Sequence, residues 1–339
     1  MIQRKSIQGP RSAGLDLIRA LAIFSVIGGH FFMNTGFQQA EFGGISMFVQ
    51  GWAKFFFGIG VPLFLMLTGY LQGKKEATPQ YYKGAMRVLG SYLVFSVVTI
   101  LFRIYYLGEQ GSALQWGHKV LDFSAIPYGW YIEMWIGLFL LVPFLNILWQ
   151  HIPTQPLKLL LLATLYVMTA LPDMTNRYGM HLTPGFWADC YPLFFFFAGA
   201  YLREYGCSLR KSYLVGGVCL ICLINPVFNA LLVRGHSMIQ VAGGPWGMFG
   251  CPLAVAVFAL LHRWDTRHEW LRRGLGSISK LSLDMYLCCY IFDAIWYPVF
   301  KEHWYVSQGQ FGVFFFAIVP LLFACSYATA WLKVKLLRF

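Results

Sequence analysis

The sequence predicts an all-α integral membrane protein of about ten transmembrane helices, and three observations support this. Of the 339 residues, 58% are hydrophobic and only 12% are Asp, Glu, Lys or Arg, about half the charged fraction of a typical soluble domain. The apolar residues form successive segments of about the 20 residues that a helix needs to cross a bilayer. The basic residues collect in alternate connections between these segments. This composition leaves almost no room for a separate soluble domain.

The predicted spans follow one another along the whole chain, joined by short connections. They are residues 13–35, 45–72, 86–107, 129–149, 157–173, 187–204, 213–233, 245–263, 278–299 and 311–334. The fifth is the weakest, because it is short and ends at Pro172-Asp173. Residues 112–124 are too polar to cross a membrane, and we expect them to lie along its interface.

The distribution of Lys and Arg predicts the orientation of the spans. With ten spans, 18 of the 26 basic residues lie on the side that carries both termini, 4 lie on the opposite side, and 4 lie within or at the edges of spans. Cytoplasmic connections are enriched in Lys and Arg. We therefore expect both termini in the cytoplasm.

The net charge of +12 does not indicate a nucleic-acid-binding protein. Such proteins usually carry a basic run, and none occurs here. Most of the eight cysteines lie in apolar segments, where a thiol packs as a small hydrophobic group. Cys219-x-x-Cys222 has the spacing of a metal or redox motif but no matching His or second Cys pair, so we expect no metal site.

Charged and ionisable residues in the first span are the first candidates for a functional site. Each costs at least about 2.5 kcal/mol at the centre of a membrane helix, so each needs an explanation. Arg19 and His30 are separated by 11 residues, which is three turns plus about 20°, or about 16 Å along one face. Asp16, one turn before Arg19, can neutralise it. We favour a polar channel or site over a snorkelling Arg and a structurally satisfied His.

Glu133, in the first turn of the fourth span, is expected at the depth of His30. A carboxylate beside a histidine can fix its tautomer and increase its basicity. The alternative is an interfacial Glu among the aromatic residues Trp130 and Tyr131, and the sequence leaves both open. In the ninth span, Asp284 falls on the cytoplasmic half and Asp293 on the outer half, so only Asp293 could approach His30.

Cations on the predicted cytoplasmic side suit a phosphate-rich ligand. The positive-inside rule accounts for most of them. Lys83 and Arg87 are different, because they lie one turn apart at the mouth of the third span and present two charges to one ligand.

Five ordered motifs resemble the acyltransferase-3 family of polytopic membrane acyltransferases. They are residues 15–22 running on to His30 as Arg-x10-His, residues 60–71, Lys83-x3-Arg87 with Tyr92, residues 130–143, and Ser282-Leu283-Asp284-Met285-Tyr286-Leu287. Thr68 stands where Ser is common in the family, and Cys289 stands where the last motif often has His.

The resemblance covers nearly the whole chain and implies a single transmembrane acyltransferase domain over residues 1–339 with a ten-helix core. It implies an acyl-CoA donor, usually acetyl-CoA, and an acceptor hydroxyl on an envelope glycan or lipid-linked sugar, in a bacterial cytoplasmic (inner) membrane. The residues suit these roles. His30, with Glu133 as partner, would be the base that deprotonates the acceptor, and Arg19, Lys83 and Arg87 would bind the CoA phosphates.

The alternatives are a transporter or exporter of a small metabolite or glycan precursor, and a receptor-like binding module. A transporter would use the same intramembrane charges as a relay or substrate site. The sequence shows no inverted repeat, which makes a transporter less favourable. A binding module explains neither His30 nor the cytoplasmic cations.

Overall fold

The computed structural model describes residues 12–176, 181–232 and 244–337, and these form helices with short connections. The α-helices are α1 (Ala13–Asn34), α2 (Gly44–Phe57), α3 (Gly60–Gln72), α4 (Pro79–Tyr105), α5 (Ala113–Leu121), α6 (Trp130–His151), α7 (Gln155–Thr175), α8 (Tyr191–Glu204), α9 (Lys211–Leu232), α10 (Gly250–Leu261), α11 (Glu269–Trp304), α12 (Gln308–Phe311) and α13 (Phe315–Leu337). Short 3₁₀ helices at Gly185–Cys190 and Gly312–Phe314 precede α8 and α13.

The predicted all-α membrane fold is confirmed. Within the described residues, eight helical segments are long and apolar enough to cross a membrane, with α2 and α3 forming one and α12 and α13 another. The fifth predicted span, the weakest of the ten, corresponds to α7 and is one of the eight. The protein is a multi-pass membrane protein.

The predicted sixth and eighth spans correspond to helices that are too short to be counted among these eight. α8 has 14 residues and α10 has 12, lengths of about 21 and 18 Å against a hydrocarbon core of about 30 Å. The count of ten spans therefore stays a prediction. So does the orientation, because six of the basic residues counted for it lie outside the described residues: Arg4, Lys5, Arg11, Arg177, Arg234 and Arg338.

Contacts between helix ends sort those ends onto two faces, which we call A and B. On face A, Asn146 near the end of α6 donates to the carbonyls of Gln72, the last residue of α3, and of Lys75 just after it, at 2.9 and 2.7 Å. Lys158 of α7 binds Glu204 at the end of α8 at 2.8 Å. On face B, Gln308 of α12 donates to Thr35 after α1 at 3.0 Å. Face A is the side predicted to be cytoplasmic.

Helices α1 and α11 pack side by side in the same direction through the centre of the molecule. Arg19 of α1 donates to Ser279 of α11 at 2.8 Å, and eleven residues later His30 lies 3.7 Å from Cys289. The nearly constant separation in sequence number, 260 and then 259, requires parallel helices of the same rise. The two intramembrane residues of α1 therefore face one partner helix.

The crossing of α3 and α8 depends on two glycines. A Cβ on Gly69 would overlap the carbonyl oxygen of Phe196, and a Cβ on Gly199 would overlap that of Met66. Only glycine permits this close approach of two backbones, a common way for helices to associate in membranes. This crossing holds α3, which lines both of the cavities described below.

Helix α5 lies in the segment expected at the membrane interface, after α4 ends on face B. Ser112 and Gln115 close its first turn as a capping box. Arg103 of α4 forms a bidentate pair with Glu109, at 2.9 and 2.7 Å, and also donates to the carbonyl of Ala125 at 3.0 Å. This hydrogen-bonded pairing with Arg103 lowers the pKa of Glu109. The pair fixes the loop that leads to Tyr128.

Candidate active site

His30 lies near the face-B end of α1 and is only 7% exposed. Its Nδ1 atom is 3.3 Å from Oδ2 of Asp293 and 3.7 Å from Sγ of Cys289, both on α11. The ring packs against Tyr128, with ring centroids 3.9 Å apart. His30 is therefore held on one edge by α11 and on one face by the turn before α6.

Asp293 is the carboxylate at His30, and it is 1% exposed. Its Oδ2 accepts hydrogen bonds from the hydroxyl of Tyr128 at 2.9 Å and from Nδ2 of Asn34 at 3.4 Å. Asn34 also donates to that hydroxyl, at 3.0 Å. The Oδ1 atom has no hydrogen-bond partner among the described residues. Residues from α1, the turn before α6 and α11 thus converge on one buried carboxylate.

Glu133 does not take the place expected for it. Its side chain is exposed, on the stripe of α6 that also carries exposed Gly137, Leu140 and Phe144. These residues recur at the spacing of one helix face, so Glu133 points to the surroundings rather than the interior. Rotation about the axis of α6 separates the Glu133 side chain from His30. The carboxylate that lies against His30 is that of Asp293.

A cavity of about 420 Å³ opens beside His30. Its lining comes from several elements: Ser25, Val26, Gly29, His30, Met33, Gln38, Gly51, Lys54, Phe55, Phe57, Gly58, Gly60, Val61, Tyr128, Trp130, Asn225, Asn229, Gly244, Pro245 and Tyr286. Because Nδ1 of His30 faces Asp293, Nε2 is the nitrogen that remains for a molecule in this cavity. The lining combines apolar surface with a few polar side chains, as small-molecule sites do.

A second cavity, of about 200 Å³, contains Arg19 on the face-A side of the molecule. Leu71 and Gln72, at the face-A end of α3, line it together with Thr68 and Trp135. Thr68, which stands where Ser is common in the family, donates its hydroxyl to the carbonyl of Phe64 at 3.0 Å. The cavity therefore extends along α3 from its face-A end.

Lys83 and Arg87 are exposed on the first turns of α4. Neither lines the Arg19 cavity, but Val88, the residue after Arg87, does. The structure thus places Arg19 inside the cavity and the two α4 cations outside it on the same face. Of the three predicted phosphate-binding residues, one is brought into a cavity and two remain on the surface nearby.

Tyr286 of α11 lines both cavities. Its hydroxyl donates to the carbonyl of Tyr128, and its ring meets that of Tyr131 edge-on with centroids 5.4 Å apart. The two cavities therefore approach each other at Tyr286, between Arg19 and His30. The helical spacing of these two residues is about 16 Å.

The remaining charged candidate of α11, Asp284, belongs to a different contact. Nζ of Lys333 on α13 binds both of its carboxylate oxygens, at 3.0 and 3.1 Å, and donates to Ser91 of α4 at 2.7 Å. This buried pair joins three helices away from His30. Its role is explained by packing, because a buried charge needs a partner.

Comparison with known proteins identifies the family. A family model described as an acyltransferase domain, Acyl_transf_3, matches residues 12–331. The chain belongs to the acyltransferase-3 family. The comparisons with curated proteins and with solved structures find no match. The resemblance predicted from the five motifs is confirmed, and the protein is a membrane acyltransferase of this family.

Proposed function

We propose that this acyltransferase transfers an acetyl group from cytoplasmic acetyl-CoA to a hydroxyl of an envelope glycan or lipid-linked sugar, with His30 as the general base. The observation that carries the proposal is the buried His30–Asp293 pair at a cavity, on the same helix as an arginine in a second cavity. A base, an orienting carboxylate and room for a substrate are what deprotonation of a hydroxyl requires.

Asp293 orients His30 rather than reacting itself. Its Oδ2 lies 3.3 Å from Nδ1 of His30, which favours the tautomer with the proton on Nδ1 and an unprotonated Nε2, and also the imidazolium that forms during reaction. Nε2 then takes the proton of the acceptor hydroxyl while the hydroxyl oxygen attacks the thioester carbonyl. The C–S bond breaks, and the imidazolium returns the proton to the CoA thiolate. The products are an acetyl ester and CoA.

The donor enters from face A. Arg19 in its cavity and Lys83 and Arg87 outside it provide positive charge for the phosphates of CoA. A cavity of about 200 Å³ suits the pantetheine arm, and the nucleotide stays near the α4 cations. The arm spans the roughly 16 Å from Arg19 to His30 and passes Tyr286. The acceptor occupies the His30 cavity, on the face-B side of the molecule. The enzyme acts in a bacterial cytoplasmic membrane.

A transporter is the competing function, because charges inside membrane helices also serve as relays. The experiment is to reconstitute the purified protein in nanodiscs with radiolabelled acetyl-CoA and a lipid-linked glycan extract of the cell envelope. Label that becomes ester-linked to the extract, with an equal amount of free CoA thiol, supports acetyl transfer. Movement of the extract across proteoliposomes without CoA release would contradict it and favour transport.

A further inference from the structure

Two buried asparagines face the His30 cavity from α9, and the transfer chemistry gives neither of them a role. Asn225 and Asn229 are 1% and 4% exposed and both line the cavity. They lie four residues apart and therefore on one face of the helix. Nδ2 of Asn229 donates to Oδ1 of Asn225 at 3.0 Å. The two amides thus form a single polar unit at the cavity wall.

The hydrogen bond between the amides leaves one donor and one acceptor unused. Nδ2 of Asn225 and Oδ1 of Asn229 are buried and have no hydrogen-bond partner within the part of the chain that the structure describes. Turning over both amides only exchanges which residue supplies the donor. A buried amide atom without a partner destabilises the protein, because it has lost its hydrogen bonds to water. A ligand that completes both bonds removes this penalty.

Ser25 adds a third polar group of the same kind. It lies on α1, lines the same cavity and is fully buried. A helical serine often donates to the carbonyl one turn earlier, but Oγ of Ser25 has no partner among the described residues. Three side chains from α1 and α9, each with one buried polar atom that has no partner among the described residues, therefore line the cavity that contains His30.

Trp130 provides an aromatic part of the cavity wall. Its side chain lines the cavity and is 42% exposed, so an aromatic surface is open to a ligand. A long-chain alcohol has a single hydroxyl and would leave most of the polar groups unpaired. A ring with neighbouring hydroxyls fits both features, because one hydroxyl accepts from an amide NH₂ and the next donates to the amide carbonyl.

We propose that Asn225 and Asn229 form a subsite that binds two neighbouring hydroxyls of the acceptor ring, with Trp130 against the apolar face of that ring. The inference rests on the proposed function in placing the acceptor beside His30. It adds the residues that select the acceptor and the pattern that they select, a vicinal diol. Ser25 lines the same cavity and provides one more contact for a polyhydroxylated ligand.

The test measures binding without any reaction. Dissociation constants of trans-cyclohexane-1,2-diol and cyclohexanol are measured by saturation-transfer NMR on the protein in nanodiscs, with empty nanodiscs subtracted. Wild type should bind the diol about tenfold more tightly, the scale of one additional hydrogen bond. In Asn225→Leu/Asn229→Leu the two constants should become equal. Its thermal midpoint should be unchanged or higher, since leucine has a similar size and leaves no unpaired amide.

Asn146→Leu is the matched control, because Asn146 donates to two carbonyls on face A. It should lower the thermal midpoint and keep the preference for the diol. If the double variant does not fold, Asn229→Ala should reduce the preference, because it removes the free carbonyl oxygen together with the NH₂ group that donates to Asn225.

Two results would overturn the subsite: a preference that survives in the asparagine variants, or a wild-type protein that binds both probes alike. The same preparations are assayed for acetyl-CoA cleavage with the envelope extract. An asparagine-dependent preference without acetyl transfer would refute the proposed function and leave a hydroxyl-binding site. Acetyl transfer with an asparagine-independent preference would refute the subsite alone.

Discussion

Asp293→Asn changes one atom at the His30 pair and should separate orientation of the base from donor binding. The substitution keeps the size of the side chain and removes its charge. Nδ1 of His30 lies 3.3 Å from Oδ2 of Asp293, and that oxygen also accepts a hydrogen bond from the Tyr128 hydroxyl at 2.9 Å. An amide can keep these positions, but it cannot stabilise the imidazolium and it can present an NH₂ group to the ring.

The expected loss is about 100-fold in kcat, or about 2.7 kcal/mol at 1.36 kcal/mol per tenfold. A positioned general base contributes about 10²–10⁴-fold. We take the lower end because 3.3 Å is longer than the 2.7–2.9 Å of a strong charge-assisted hydrogen bond. The KM for acetyl-CoA should change less than about twofold, because Arg19 lies about 16 Å away along α1.

The assay is the release of CoA thiol with the envelope extract as acceptor, using nanodisc preparations of equal thermal midpoint. Two carboxylates serve as comparisons. Glu302→Gln removes an exposed acid from α11, and Glu133→Gln removes the exposed acid of α6; both should retain wild-type kcat. A kcat for Asp293→Asn equal to wild type would refute the orienting role. If kcat falls in Glu133→Gln but not in Asp293→Asn, Glu133 is the partner of His30.

Three further predictions follow from the helix packing and the donor side. Arg19→Ala should weaken acetyl-CoA binding by about 1.5–3 kcal/mol, the scale of a charge-assisted hydrogen bond, as measured by calorimetry; unchanged affinity would move the donor site. Gly69→Ala should lower the free energy of unfolding by about 1–3 kcal/mol or more, because its Cβ would overlap α8, and this should appear as a lower thermal midpoint. Gly90→Ala should leave the thermal midpoint unchanged, because a Cβ at Gly90 meets no atom within 4 Å among the described residues. Arg103 lowers the pKa of Glu109, so the pair contributes stability at pH values above the ordinary pKa of about 4.5, and this stability is lost as the pH falls through the lowered pKa. On acidification, the thermal midpoint should therefore decrease more in wild type than in Glu109→Gln. Equal decreases would contradict a stabilising Arg103–Glu109 pair.

The sequence was sufficient for the membrane class, the family and the central stripe of α1. Among the described residues, hydropathy located every helix that meets the length of a span, because the bilayer sets that length. The spacing of Arg19 and His30 predicted that they share a face, and in the structure both face α11. The predicted sixth and eighth spans are longer than the helices α8 and α10 that they correspond to. The apolar character continues through the aromatic 3₁₀ helix before α8 and through the loop before α10.

The partner of His30 was not determined by the sequence, because depth in the membrane does not fix rotation about a helix axis. Glu133 and Asp293 were both compatible with the depth of His30, and only tertiary packing distinguishes them. Asn225 and Asn229 were missed although a signal existed. Two amides four residues apart in an apolar span require the same explanation as an intramembrane charge.

The central claim, that His30 is the base for acyl transfer to a hydroxyl, is tested most directly by His30→Gln. His303→Gln, which changes an exposed histidine of α11, is the matched control. Both variants are compared with wild type at equal thermal midpoint for transfer of labelled acetyl groups to the envelope extract and for acetyl-CoA affinity. His30→Gln should lose at least about 100-fold in transfer with unchanged acetyl-CoA affinity, and His303→Gln should lose neither. A folded His30→Gln variant that transfers acetyl groups at the wild-type rate would contradict the mechanism.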